Sequence, residues 1–210
     1  MQTTEAHQLD NLPELLQTAI QSINQVILGK QQQIKLVFTS CIAKGHCLSD
    51  DQPGVGKTTL AHAMAQVLGL DFQRIQFTSD LLPADVLGVS VFNRDQSQFE
   101  FHPGPIFSPF ILADEINRAT PKTQSALLES MEEYQVTVEG ETRLLPEPFF
   151  VIATQNPTHQ VGTYHLPEAP LVRVLMRLDL GKPEHVAERG LRVGEERRTI
   201  LESMPSGVGP

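Results

Sequence analysis

The stretch that most constrains the fold is HCLSDDQPGVGKTTLAHAMAQVL, residues 46–68. A short apolar run, HCLS, leads into a glycine turn, and the turn opens a segment in which Leu60, Ala61, Met64, Val67 and Leu68 recur at helical spacing before Gly69. A strand, a glycine loop and a helix in that order are the context that a phosphate-loop motif needs. The far end of the loop, Gly56, Lys57 and Thr58, matches the phosphate-loop pattern G-x-x-x-x-G-K-[ST], with Asp51 standing where the pattern has its first glycine. A helix N-terminus supplies the unpaired amides and the positive dipole end that such a loop needs. The predicted nucleotide-binding residues are therefore Pro53, Gly54, Val55, Gly56, Lys57, Thr58 and Thr59. Lys57 would neutralise the β and γ phosphates, and the Thr58 hydroxyl would be offered to Mg²⁺. A glycine turn with an exposed lysine is the structural alternative.

Asp51 carries charge of the wrong sign for this task. A carboxylate within a few Å of a triphosphate repels it by about 1 kcal/mol in water-like surroundings and about 4 kcal/mol at an effective dielectric of 20. That is a loss of roughly fivefold to a thousandfold in affinity. The first glycine position lies before the amides that grip phosphate, and Asp tolerates positive φ better than most residues. Asp51 is thus expected to weaken the loop rather than abolish it.

Short apolar runs at FQRIQF (72–77), PFILADE (109–115), PFFVIAT (148–154) and LVRVLMRLDL (171–180) have the character of buried parallel strands. Two of them end in polar groups. FILADEIN places Asp114 and Glu115 at the C-terminal end of a strand, the edge at which open α/β sheets bind ligands. Asp114 would hold Mg²⁺ through water while Glu115 polarises the attacking water. Capping of the following helix is the alternative use of the pair. VIATQNP places Asn156 at the end of another strand, where an amide would orient water or touch the γ-phosphate, and a turn-forming Asn-Pro is the alternative.

Around this frame, Pro13 and Glu14 after Asn11 mark a helix start, with Leu15, Leu16, Ala19, Ile20 and Ile23 as its apolar stripe. A second helix is predicted from about Gln31 to Lys44, with Ile34, Val37, Phe38, Cys41 and Ile42 on one face. TPKTQSALLESMEEY predicts a third, with Thr120 as N-cap, Pro121 at the first turn, and Leu127, Leu128 and Met131 facing inward. VSVFNRDQSQFEFHPGPIF and YQVTVEGETRLLPEP read as inserted β-hairpins, the second turning at Glu139-Gly140. The 210 residues suit one domain.

A net charge of -9, from 16 basic and 25 acidic residues, disfavours non-specific attraction to nucleic acid or an anionic membrane. Arg197 and Arg198, the longest basic cluster, sit beside Glu195 and Glu196 and read as a solvated face. Cys41 and Cys47 make no disulfide framework, and His46 beside Cys47 would point to the opposite face of a strand, which argues against a shared metal. The N-terminus has no apolar signal region and no run of about 18 apolar residues occurs. A cytoplasmic location without a membrane span is expected.

The chain resembles the MoxR-type AAA+ ATPases over about residues 26–182, through VILGK, PGVGKTTLA, RIQFTSDLLPADVLG, FEFHPGPIF, LADEINRATPKTQSALLESMEE, VTVEGETRLLPEPFFVIATQNP and GTYHLPEA. The resemblance makes PGVGKTT the Walker A loop, Asp114 and Glu115 the Walker B pair and Asn156 the sensor-1 residue. It makes the hairpins the helix-2 insert and the pre-sensor-1 hairpin. It implies an α/β P-loop NTPase core with a five-stranded parallel sheet flanked by helices, ATP and Mg²⁺ as cofactors, and ring oligomers, usually hexamers. It also implies a chaperone-like role, often with von Willebrand A domain proteins. The lack of an N-K-x-D guanine signature favours ATP over GTP.

Besides Asp51, the chain departs from that family twice. In LPEAPLVRVL, Arg173 aligns with the arginine finger, but Val172 and Val174 stand where the family has an acidic residue and a phenylalanine. The family continues into a helical lid, and residues 183–210 are too few for one, so the expected organisation is an AAA+ core over 1–182 and a truncated helical segment over 183–210. Hydrolysis is expected to be slowed by Asp51 and by the missing lid. The competing readings are an inactive scaffold and, against the net charge, a DNA-remodelling motor.

Overall fold

A computed structural model of the chain describes residues 12–50, 54–155, 162–166 and 176–181. In chain order, helices α1 (Leu12–Val26) and α2 (Gln31–Ile42) precede strand β1 (Cys47–Ser49) and helix α3 (Lys57–Leu68). Strand β2 (Phe72–Gln76) and the short helix α4 (Pro83–Leu87) lead into a hairpin, β3 (Gly88–Asn93) and β4 (Gln98–Pro103). Strand β5 (Phe110–Asp114), helix α5 (Pro121–Glu133), a second hairpin of β6 (Gln135–Val138) and β7 (Glu141–Leu144), and strands β8 (Phe150–Thr154) and β9 (Met176–Leu178) complete the described chain.

Five strands form one parallel sheet in the order β2-β5-β8-β1-β9, and each hairpin is a separate two-stranded antiparallel ribbon. Alternate side chains along each strand leave opposite faces, so the sheet buries two cores. Phe110, Leu112, Phe150, Ile152, Cys47 and Leu178 pack with α1, α2 and α3 on one face. Ile111, Ala113, Val151, Ala153 and Leu48 pack with Leu127, Leu128 and Met131 of α5 on the other. This two-sided burial explains why the strand segments read as continuous apolar runs rather than alternating ones. It also explains α3, whose Leu60, Ala61, Ala63, Met64, Ala65 and Val67 are all buried. The helix is enclosed between the sheet and α1, and small alanines let both partners approach.

The helix ends follow local chemistry. The Thr120 side chain accepts from the Thr123 amide at 3.5 Å, with Pro121 following it at the first helical position. Gly69 caps α3 in the left-handed conformation at φ 66°, closing the last turn onto Ala65 and Gln66. Two predicted faces are trimmed by packing. Leu15 and Ile42 lie at the margins of their helical stripes and remain exposed, at 39% and 59%, because α1 and α2 bury only the centre of each stripe. Helix α4 was not read from the sequence, since five residues starting at a proline are too short to show a period. The foot of the first hairpin is a close crossing of Gly88 and Gly104. A Cβ on Gly88 would lie 2.4 Å from the His102 carbonyl oxygen, and one on Gly104 would lie 2.3 Å from that of Val86, so only glycine fits at either place.

His46, weighed above as a metal ligand, is instead part of the scaffold. Its ring lies 2.9 Å from the Met131 carbonyl through Nε2 and accepts the Val151 amide at Nδ1, 3.2 Å away. Burial pushes its pKa down to about 4, against a smaller raising effect of the bond to Met131. No group of three or more His, Cys, Asp or Glu side chains placed to hold a metal occurs among the described residues. No helix among them is long and apolar enough to cross a membrane. Residues 183–210, expected as a truncated helical segment, lie outside the described residues.

Candidate functional site

The carboxyl ends of the central strands lie level with one another. Register pairs Ser49 with Thr154, Ala113 with Ala153 and Gln76 with Asp114, so β1, β8, β5 and β2 deliver their last side chains to one edge. At that edge β1 gives way to the glycine turn. Gly54 and Gly56 adopt φ values of 89° and 94°, a conformation that L side chains rarely take. No heavy atom comes within 4 Å of a Cβ built at either glycine, so the requirement is the backbone angle and not space. Gly56 is the N-cap of α3, and its carbonyl accepts the Leu60 amide at 2.9 Å. The Val55 side chain packs against the core beneath, which anchors the turn.

A cleft of about 390 Å³ opens between this turn and the carboxylates, lined by Gly54, Gly56, Lys57, Thr58, Thr59, Arg74, Gln76, Asp114 and Glu115. Each carboxylate is held by named donors. Asp114 accepts the Thr154 hydroxyl on Oδ1 at 2.6 Å and Arg74 Nη2 on Oδ2 at 2.7 Å. Glu115 accepts Gln76 Nε2 at 3.2 Å and Arg118 Nη1 at 2.9 Å, both on Oε2. The Thr154 hydroxyl also accepts the Glu115 amide at 2.9 Å, so one buried oxygen positions both acidic residues. Glu115 has left-handed dihedrals, φ 57° and ψ 46°, which cost a non-glycine residue about 1–2 kcal/mol and turn the chain sharply after the strand.

The structure thus gathers Gly54, Gly56, Lys57, Thr58, Thr59, Asp114 and Glu115 around one space, although Lys57 and Asp114 are far apart in sequence. Pro53, Asn156 and Arg173 lie outside the described residues, as do Asp51, Val172 and Val174. Asp50, the other acidic residue at the loop's entrance, is engaged by the Gln155 amide nitrogen and by Arg177 of β9. Arg74, Gln76, Arg118 and Thr154 were not singled out from the sequence. A signal existed for three of them: Arg74 and Gln76 alternate toward one face near the end of β2, and Thr154 closes the same strand that precedes Asn156.

The donor set fits a polyphosphate with a divalent cation. A left-handed glycine turn at the N-terminus of a 12-residue helix could take phosphate oxygens, with Lys57 as counter-charge. Thr58 and Asp114 offer hard oxygen ligands to the same cleft. A parallel sheet with this loop after its first strand defines a P-loop NTPase.

Comparison with known proteins narrows that class. The model of the ATPase family associated with various cellular activities (AAA) matches residues 46–176. The chain is 50% identical over 195 residues to the uncharacterised protein YeaC of Bacillus subtilis, covering 93% of this chain and 61% of that one. It is 42% identical over 174 residues to the chaperone MoxR1 of Mycobacterium tuberculosis, covering 83% and 46% respectively. The crystal structure of a candidate ATPase from Cytophaga hutchinsonii superposes with a TM-score of 0.80 at 36% identity, covering 96% of this chain and 66% of that one. This chain belongs to the AAA ATPase family, and within it to the MoxR type. It spans between 46% and 61% of the length of these two curated relatives.

Proposed function

We propose that the chain binds ATP with Mg²⁺ in the cleft above the sheet, hydrolyses it, and uses the cycle to remodel or mature protein partners in a chaperone-like role. The observation that carries this reading is the placement of Asp114 and Glu115 across one cleft from Lys57, Thr58 and Thr59 at the carboxyl edge of a parallel sheet. The amides from Gly54 to Thr59 grip the phosphates, and Lys57 offsets their charge. Thr58, and Asp114 through water, would hold the Mg²⁺. When bound, the ion would neutralise charge that develops on the phosphate oxygens. Glu115 accepts a proton from the attacking water, with Asn156 as the group that orients it and Arg173 as the finger offered to a neighbouring subunit.

Assembly into a ring, a hexamer by the habit of the MoxR type, and a von Willebrand A domain partner complete the proposal. Relatives named chaperone MoxR1 and protein MoxR support the protein-directed role. A cytoplasmic setting is part of the proposal; no helix among the described residues is long and apolar enough to cross a membrane. The test is phosphate release by the wild type and by Glu115→Gln, with ATP binding measured alongside by calorimetry. Equal background rates for both would remove hydrolysis, and Lys57→Ala with unchanged affinity would remove the site itself.

One observation favours a second reading. Both carboxylates are occupied by protein donors, Arg74 on Asp114 and Gln76 with Arg118 on Glu115. A chain that never releases those contacts would bind nucleotide as a scaffold and turn over nothing. Tight ATP binding without phosphate release in the assembled protein is its signature.

A further inference from the structure

Arg74 is a cation in a place where the nucleotide reading puts a metal ion. It belongs to β2, the edge strand of the sheet, and its side chain crosses to the neighbouring strand, where Nη2 donates to Asp114 Oδ2 at 2.7 Å. The same nitrogen donates to Gln76 Oε1 at 2.7 Å, so the guanidinium has a second hold that does not involve the carboxylate. Asp114 Oδ1 is taken by Thr154 at 2.6 Å, which leaves Oδ2 as the oxygen whose partner can be exchanged. The Arg74 side chain is 46% exposed and that of Asp114 14%, so the pair sits at the cleft wall, partly open to water. A guanidinium and a divalent cation repel each other, and each asks for the same oxygen.

We propose that Arg74 is the resident counter-ion of Asp114, surrendered when that carboxylate takes up a divalent cation and retained in the cleft by Gln76. The inference rests on the nucleotide-binding reading above. Arg74 is a positioning residue in this account. It keeps Asp114 aligned and neutralised before metal arrives, it adds positive charge to the cleft for metal-free nucleotide, and it competes with Mg²⁺. Removing it therefore shifts two quantities in opposite directions. Metal-free nucleotide binds more weakly because a cation is lost, and Mg²⁺ binds more tightly because its competitor is gone. An ion pair that merely braces the edge strand would, on removal, weaken both.

The experiment titrates a fluorescent, non-hydrolysable ATP analogue into the full chain in EDTA, then titrates Mg²⁺ into the complex, for wild type, Arg74→Gln and Arg74→Lys. With Arg74→Gln, metal-free affinity is expected to fall about tenfold and the Mg²⁺ midpoint to drop by about tenfold, the size expected for one partly screened charge at short range. Arg74→Lys keeps the charge without the planar fork, so its values should lie between the two. It carries the test alone if the glutamine variant fails to fold. An unshifted Mg²⁺ midpoint, or a parallel loss of both affinities, overturns the inference while leaving nucleotide binding intact. Failure of the wild type to bind the analogue in either condition overturns the nucleotide reading and this inference with it.

Discussion

The two walls of the cleft are built on different principles. The loop wall is backbone: two left-handed glycines, a helix N-terminus and the adjacent Lys57 and Thr58, all within one short stretch of chain. The carboxylate wall is side chains drawn from the ends of β2, β5 and β8 and from the turn that follows β5, tied together by Arg74, Gln76, Arg118 and Thr154. A wall made from consecutive residues tolerates change elsewhere in the protein. A wall made from three strands depends on their register, since a slip of one residue would point Asp114 or Thr154 to the opposite face.

That contrast predicts separable losses. The largest is expected for Glu115→Gln on the carboxylate wall, which should lower phosphate release by about 10²–10⁴-fold while ATP affinity in calorimetry stays near wild type. Lys57→Ala on the loop wall should do the reverse, reducing ATP affinity by roughly fivefold to a thousandfold, the range set by how much water screens the charge. If each variant damaged binding and turnover equally, the walls would not be independent. Thr154→Val tests whether one hydroxyl organises the acidic pair. It leaves the Glu115 amide without its acceptor and Asp114 Oδ1 without its donor, so denaturant melts should show a loss of about 1–3 kcal/mol. Turnover should fall with little change in metal-free ATP affinity.

The smallest effect separates the scaffold from both walls. His46 lies at the start of β1, away from the cleft, and its folded pKa of about 4 is below the ordinary value of 6.5. Between those values the unfolded chain binds a proton that the native chain refuses, so this residue's contribution is present above pH 6.5 and lost as pH falls toward 4. Acidification from pH 7.5 to 5 should remove about 2 kcal/mol of stability through His46 alone. In melts, His46→Gln should flatten that dependence, and ATP affinity at pH 7.5 should be unchanged.

Much of the loop wall was legible in the chain itself. Helix α3 and its glycine-led start follow from the spacing of Leu60, Ala61, Met64 and Val67 and from residues whose backbone preferences are strong. The carboxylate wall was half legible. Asp114 and Glu115 stood out because they end an apolar run, whereas Arg74 and Gln76 looked like the polar positions of an edge strand. Nothing in the order of letters says that β2 lies beside β5, or that Gln76 pairs with Asp114 in register. Ile42, read as part of a buried stripe, is exposed because α2 reaches the sheet only along Ile34, Val37 and Phe38. The cis peptide at Glu147-Pro148 likewise had no sequence signal beyond the proline.

By itself the sequence determined the class of fold, the phosphate-loop segment and the two acidic residues. Each of these depends on local chemistry: glycine dihedrals, helical period, and carboxylates at a strand end. Only the tertiary structure decided which cations and hydroxyls hold those acids. Those contacts depend on strand order and register, which arise from burying two faces of one sheet at once, a condition no short stretch of chain can express.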